Sequence, residues 1–229
     1  MTEENFAARG SQRWLQVAVA RAPHLLRESL FACGAIKTTE SLEWFAPLAA
    51  ENFAEPRDAE ALRKAGIAEL PFRSLGDFWP LRGPVWDAVG RAGQGSVFVE
   101  AKAHVKESES PPSQASPASL ERIKAALSEA RSFYAQGASA DWHLVYYQYA
   151  NRLAHHYLLK HVNGKDSRLV FLYFLNDVEM KGPSSIREWE EVTARVHDAL
   201  GLPDSLSDLG VHHAYLDVQA LRAALTPPD

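Results

Sequence analysis

The chain has 229 residues, of which 46% are hydrophobic and 23% are charged, and its formal net charge at pH 7 is −5. This length is enough for one substantial hydrophobic core with at most a small appendage. The negative charge argues against a protein that is basic over its whole surface, as many nucleic-acid binders are, although a local groove could still be positive.

Cysteine content and the first residues point to a compartment. Cys33 is the single cysteine, which excludes a disulfide framework and a cysteine-rich zinc site and fits a reducing environment. The start, residues 1–5, is polar and acidic, unlike a signal peptide. No apolar run approaches the length of a membrane span. We therefore expect a cytoplasmic protein without a membrane partner.

The N-terminal part, about residues 1–68, is predicted to be mainly helical. Residues 12–31 carry apolar side chains at helical spacing, interrupted by Pro23, which should kink or split the helix. A short helix is expected at 58–66. A short edge strand is expected at 70–75, where a proline is tolerated.

Two further strands are predicted at 85–90 and 96–105, joined by a glycine-rich turn of hairpin type. Because alternate side chains of a strand share a face, Glu100, Lys102 and His104 should point to one side and the intervening Val and Ala residues to the other.

A hairpin here would place Asp87 beside Glu100 and Lys102. Two carboxylates and an ammonium group would then meet on the sheet, and hard oxygen ligands of this kind suit Mg²⁺ or Mn²⁺. The run around Glu100 is apolar on both sides, which is typical of a strand covered on both faces. A charge in such a strand needs a partner or a metal.

The remaining elements follow from periodicity and capping residues. In order, they are a Ser- and Pro-rich mobile loop at about 107–117, helices at 119–136 and 141–162 (the first capped by Ser119), a central hydrophobic strand at 168–175, a helix from Ser184 or Ser185 to Leu200, and a strand at 213–218.

Asp87 and the tripeptide Glu100-Ala101-Lys102, with twelve residues between them, resemble the signature of the PD-(D/E)XK, or restriction-endonuclease-like, nuclease superfamily. The residue before Asp87 departs from the pattern, since it is Trp86 and the nearest proline is Pro84. The resemblance implies an α/β (α+β) fold, a mixed β-sheet flanked by helices with an αβββαβ core, formed by one domain over 1–229.

The resemblance also implies a metal-dependent nuclease that hydrolyses phosphodiester bonds of DNA or RNA. Asp87, Glu100 and the backbone carbonyl of Ala101 would hold Mg²⁺ or Mn²⁺, and Lys102 would orient or activate the attacking water. A glutamine on the following helix, Gln148, would face the site, as in some members of the superfamily.

Other candidate residues are assigned by the same resemblance or by charge. Glu28 is the best-placed carboxylate of the first helix for an additional metal bond, with Glu51 and Glu60 as rivals. The residues Arg91, His104 and Arg152 are candidates for contacts with nucleic acid, as are Arg73, Arg82 and Lys106. His104 could instead be a half-buried histidine bonded to the backbone.

Three other interpretations remain open from the sequence. Glu100 and Lys102 could form an ordinary exposed ion pair, which would contribute little to stability. The chain could keep the nuclease-like fold as a catalytically silent module that binds nucleic acid or protein. It could also be a plain α/β interaction module. The sequence leaves open the strandedness of a substrate and the oligomeric state, including a homodimer.

Overall fold

The computed structural model describes residues 5–225, so the two ends of the predicted 1–229 domain, residues 1–4 and 226–229, lie outside the described residues. The described part contains a five-stranded mixed sheet in the order β1-β2-β3-β4-β5. The strands are β1 (Leu42–Ala46), β2 (Ala88–Ala92), β3 (Gly95–Lys102), β4 (Ser167–Leu175) and β5 (Val211–Asp217).

β2 runs antiparallel to both β1 and β3, whereas β4 is parallel to both β3 and β5. Ala92 pairs with Gly95, so β2 and β3 form a hairpin with a two-residue turn, in which Gly93 has the positive φ that such turns require. Parallel strands need long crossover connections, and here these are helical. The result confirms the predicted mixed sheet flanked by helices.

Helices cover both faces of the sheet and create two hydrophobic cores, one per face. They are α1 (Gly10–Arg21), α2 (Pro23–Ala32), α3 (Asp58–Lys64), α4 (Leu75–Phe78), α5 (Pro117–Tyr134), α6 (Tyr147–His156, continued by a π-helical turn over Tyr157–Val162), α7 (Ile186–Leu200) and α8 (Val218–Ala223). Among the described residues no helix is long and apolar enough to cross a membrane.

The alternation predicted for β3 decides which face receives its polar side chains. Val97, Val99 and Ala101 lie in the core formed with α1, α2 and α8, whereas Phe98 lies in the core formed with α5, α6 and α7. Glu100 therefore points towards the face that α6 covers, as the two-residue period requires.

The edge strand of the N-terminal part is not where the sequence predicted it. Residues 70–75 form no strand, because the backbone N–H groups of Phe72 and Arg73 donate to the Asn163 side chain instead, and α4 begins at Leu75. The edge strand is β1, which pairs with β2. The N-terminal part is thus not purely helical, because it contributes one strand to the sheet.

The two strands of the hairpin are shorter than predicted. β2 begins at Ala88, since Val85 instead forms an isolated bridge with Arg57. β3 ends at Lys102, where the Ala103 N–H turns to the Glu107 carboxylate at 2.6 Å and a 3₁₀ turn follows.

The helix boundaries after the hairpin also differ in part. Ser116, not Ser119, caps α5, and α6 begins six residues after Asp141 because residues 142–146 form turns. For α7 the prediction is confirmed: Ser185 caps its start and Gly201, with φ of 69°, ends it. The strand predicted at 168–175 has neighbours on both sides, although the middle strand is β3.

The loop after β4 packs closely against the end of β3. A Cβ atom added to Gly182 would overlap the backbone carbonyl oxygen of Ala103, which cannot move away as a flexible side chain could. We expect Gly182→Ala to lower the free energy of unfolding by about 1–3 kcal/mol, measured by urea denaturation.

The matched control is Gly76→Ala. Gly76 lies in α4 and its added Cβ would meet nothing closer than the Ser74 hydroxyl at 3.9 Å, so stability should stay constant or rise slightly. Equal stability of the two variants would contradict the predicted steric conflict.

Candidate active site

The hairpin brings Asp87 to the tripeptide that follows in β3. Ala88 pairs with Val99, so the residue before β2 lies level with the residues after Val99. The Asp87 Oδ2 atom accepts a hydrogen bond from the Ala101 N–H at 2.7 Å. The antiparallel register and this hydrogen bond therefore hold the aspartate beside Glu100.

An ion cluster forms around the Glu100 carboxylate, which is 3% exposed. Lys102 lies two residues further along the same face of β3, and its Nζ donates to Glu100 Oε1 at 2.5 Å. Nζ also donates to Gln148 Oε1 at 3.2 Å. Gln148, the second residue of α6, thus faces the cluster, which is the orientation that the resemblance implied for it.

The second oxygen of Glu100 is bonded to Arg152, one helical turn after Gln148. Arg152 Nε donates to Glu100 Oε2 at 2.7 Å, and Nη2 donates to the Val85 carbonyl oxygen at 2.7 Å. The guanidinium also lies 4.9 Å from the centre of the Trp86 ring. Arg152 was predicted to contact nucleic acid. It is instead 5% exposed and its donors are occupied inside the protein, which corrects that assignment.

A cleft of about 420 Å³ opens over the cluster, and Asp87, Glu100, Ala101 and Lys102 all line it. One wall comes from residues 106–111, the start of the segment that the sequence predicted to be a mobile loop.

Backbone and side-chain hydrogen bonds hold this wall in place. The Ser110 hydroxyl accepts from the Gln148 N–H at 2.8 Å, and Ser113 N–H donates to the His143 carbonyl oxygen at 2.9 Å. The wall is thereby attached to the start of α6.

The cluster shifts the ionisation of its members. Burial, and then the negative charge of Glu100, raise the pKa of Asp87 to about 8. Burial would also raise the pKa of Glu100, but the charges of Arg152 and Lys102 outweigh it and keep that pKa below its ordinary value. Burial would lower the pKa of Lys102, yet the two carboxylates raise it, so Lys102 is an ammonium group at neutral pH.

Glu28 does not reach the site. It is exposed on α2, a helix that packs on the other face of the sheet and bonds to β5 through Ser29 and the Tyr215 carbonyl. The break at Pro23 turns this helix away, so the assignment of Glu28 is wrong.

The rivals named for the N-terminal carboxylate are also placed elsewhere. Glu51 pairs with Lys64 and Glu60 with Arg63. The N-terminal carboxylate whose pKa the cluster affects is Glu55, which the sequence analysis missed. Burial and then the charge of Glu100 raise its pKa, and Gln12 donates to it at 2.9 Å. No helical spacing marks Glu55, because it lies in the connection between β1 and α3.

The other two predicted contacts, Arg91 and His104, are not among the residues that line the cleft. Arg91 is opposite Ser96, near the far end of the hairpin, and its guanidinium stacks on Phe45 at 4.1 Å. His104 comes after β3 has ended, and its Nε2 lies 3.5 Å from Glu107 Oε1. Because β3 ends at Lys102, the predicted alternation no longer applies to His104.

The donors at the cluster suit a hard divalent cation. The carboxyl groups of Asp87 and Glu100 lie side by side, and burial, together with the charge of Glu100, raises the pKa of Asp87, so a bound cation would favour its ionised form. Within residues 5–225, however, no three His, Cys, Asp or Glu side chains converge as a ready metal site. Both Glu100 oxygens are already bonded to cations, so a metal bond to Glu100 requires Lys102 or Arg152 to move.

The ionisation of Asp87 makes a prediction about stability in EDTA. Its folded pKa of about 8 lies above its ordinary value of 3.8, so the folded protein holds an extra proton between these values and loses stability as pH rises through that window. Asp87→Asn removes this loss. We expect the variant to exceed the wild type in stability by about 1 kcal/mol or more at about pH 9, and by little at about pH 4.

Thermal unfolding at several pH values measures the difference, and Asp208→Asn, at an exposed aspartate outside the cleft, is the control. A pH-independent difference for Asp87→Asn would show that the Asp87 carboxyl ionises normally.

The sequence matches no protein-family model, and no curated protein and no solved structure is significantly similar to it.

Proposed function

We propose that this chain is a divalent-metal-dependent nuclease of the restriction-endonuclease-like type, which hydrolyses phosphodiester bonds of nucleic acid. The observation that carries the proposal is the joint placement of Asp87, Glu100 and Lys102 in one cleft on adjacent strands. These three residues are the ones that the sequence signature names, and the hydrogen bond from Ala101 to Asp87 ties its two halves together.

The order of the elements supports the proposal. A helical hairpin comes first, then the three strands β1, β2 and β3, then α5 and α6, and then β4 parallel to β3. This order is compatible with an αβββαβ core to which α7 and β5 are added. The cleft lies at the carboxyl end of the parallel strand β3, where open sheets of this kind commonly bind their ligands.

Asp87, Glu100 and the backbone of Ala101 are the groups that would hold Mg²⁺ or Mn²⁺. When bound, such a cation supplies Lewis-acid polarisation of a phosphate and a water of lowered pKa. Asp87 has one carboxylate oxygen, Oδ1, that no described residue bonds, while Oδ2 is oriented by Ala101.

Lys102 acts as a positive hydrogen-bond donor in this proposal, not as a general base, because its pKa lies above its ordinary value. Its ammonium group can orient a water molecule or bind the phosphate oxygens on which negative charge builds in the transition state. Gln148 positions Lys102 through its 3.2 Å contact with Nζ, and Arg152 positions Glu100 from the opposite side.

One observation favours a second candidate, a catalytically silent module with the same fold. Glu100 is neutralised on both oxygens by Lys102 and Arg152, so this carboxylate is satisfied without a metal. A self-compensated cluster of this kind can serve structure alone. Metal binding separates the two candidates.

Calorimetric titration with Mn²⁺ tests the metal site. The wild type should bind the ion and release protons near neutral pH, because Asp87 must lose its proton. Asp87→Ala should bind more than about tenfold more weakly, since it lacks the ligand with a free oxygen.

Asp208→Ala is the matched control, because Asp208 is an exposed aspartate outside the cleft, and it should bind as the wild type does. Absence of binding in the wild type, or equal heats for wild type and Asp87→Ala, would favour the silent module.

Hydrolysis is tested with Lys102→Ala and a panel of single- and double-stranded DNA and RNA in Mn²⁺. The variant should lose about 100-fold or more of the rate and should still bind metal, since the carboxylates remain. The reason is that Lys102 acts on charge that develops in the transition state.

Lys37→Ala is the control for contaminating nuclease, because Lys37 is exposed in the connection between α2 and β1. Both variants are purified by the same procedure. Equal rates for Lys102→Ala and Lys37→Ala on every substrate would contradict the catalytic role of Lys102.

A further inference from the structure

A second cavity, of about 310 Å³, lies beside α5 and is rich in hydrogen-bond donors. Lys124, Ser128 and Arg131 line it from successive turns of α5, and His143 lines it from the turns before α6. Spacings of three and four residues place the three α5 side chains on one face of the helix. We call these four residues the donor pocket.

The donors of this pocket are largely unused by the protein. The Nη1 atom of Arg131 donates a hydrogen bond to the Ala140 carbonyl oxygen at 2.7 Å, and this bond orients the guanidinium. Within residues 5–225 its Nε and Nη2, the Ser128 hydroxyl and the His143 ring have no protein partner. Lys124 has one partner, Glu121, in an exposed pair at 3.3 Å that is worth little.

A buried tryptophan, Trp142, also lines this cavity. Trp142 is 2% exposed, and its Nε1 donates to the Leu200 carbonyl oxygen at 3.0 Å, so the indole is oriented by its own hydrogen bond. One carboxylate, that of Asp141, stands against the cations in the described lining. The pocket therefore presents an arginine fork, an ammonium group and a hydroxyl, and this donor set matches a phosphate group.

The donor pocket and the active-site cleft are joined by two paired segments. His143 lines the pocket, and its carbonyl accepts from Ser113. Five residues later Gln148 lines the cleft, and its N–H donates to Ser110. Three extended residues span at most about 11 Å and five at most about 18 Å. Phosphates recur about every 3.4 Å along a stacked strand, so a few nucleotides bridge the gap.

We propose that the donor pocket binds a phosphate group of the polynucleotide whose scissile bond lies in the cleft, as a subsite a few nucleotides away. The role as a substrate subsite rests on the proposed nuclease function, whereas phosphate binding by Lys124 and Arg131 does not. Asp141 weakens this binding by its charge and limits the affinity for small anions.

Binding of inorganic phosphate at constant ionic strength, measured by calorimetry in EDTA, tests the pocket without metal or cleavage. Lys124→Ala should weaken phosphate binding by about 3- to 10-fold, and Asp141→Asn should strengthen it by a similar factor. Opposite shifts from two substitutions in one cavity are not expected from unfolding. Arg195→Ala, an exposed arginine of α7, should leave the affinity unchanged.

The second arm uses a single-stranded oligonucleotide in EDTA and identifies the source of the phosphate. Lys124→Ala should weaken and Asp141→Asn should strengthen oligonucleotide binding in the same order as for inorganic phosphate. If the two substitutions change the affinity for inorganic phosphate but not for the oligonucleotide, the pocket binds a free anion and the subsite is refuted. If they change the affinity for neither ligand, phosphate binding by the pocket is refuted too.

The two proposals fail separately. If Lys124→Ala weakens oligonucleotide binding but the wild type cleaves nothing in Mn²⁺, the phosphate site is supported and the nuclease function is refuted. If Lys124→Ala cleaves with the Michaelis constant of the wild type, the nuclease function is supported and the subsite is refuted.

Discussion

The buried carboxylate of Glu100 is the constraint on which the centre of this protein depends. It lies in the middle strand of the sheet at 3% exposure, where an unpaired charge would be very costly. Lys102 and Arg152 compensate it, one from the same strand and one from α6. Removing one partner of such a pair costs about 3–5 kcal/mol because the other charge stays buried, so the cluster fixes how α6 lies on the sheet.

Placement of α6 organises the rest of the cleft. Arg152 also bonds the Val85 carbonyl and stacks on Trp86, which joins α6 to the segment that carries Asp87. At its start, α6 presents Gln148 to Lys102 and its backbone to Ser110 of the cleft wall. One helix thus orients the lysine, the buried glutamate and the wall, while the β2–β3 hairpin orients the aspartate.

The proposed metal chemistry of the cluster and its structural role require different partners for Glu100. A metal would favour the ionised form of Asp87, whose pKa burial and the charge of Glu100 raise to about 8, yet Glu100 already has two cationic partners. In the proposed nuclease, Lys102 leaves Glu100 when it acts on water or phosphate, and Arg152 stays as the permanent counter-charge. This division follows from exposure, since Arg152 is the more enclosed of the two side chains, at 6% against 12%.

The sequence by itself determined the local geometry of the site. A two-residue period in β3 placed Glu100 and Lys102 on one face, a glycine turn placed Asp87 beside them, and helical spacing put Gln148 and Arg152 on one side of a helix. Tertiary structure alone decided which distant groups join them. It placed Arg152 against Glu100 rather than against a ligand. It placed Glu28 away from the site, because α2 packs against β5. It also placed Glu55 close enough to Glu100 for the charge of Glu100 to raise its pKa. Periodicity reports only the face on which a side chain lies, whereas partners far apart in sequence depend on how the helices pack against the sheet.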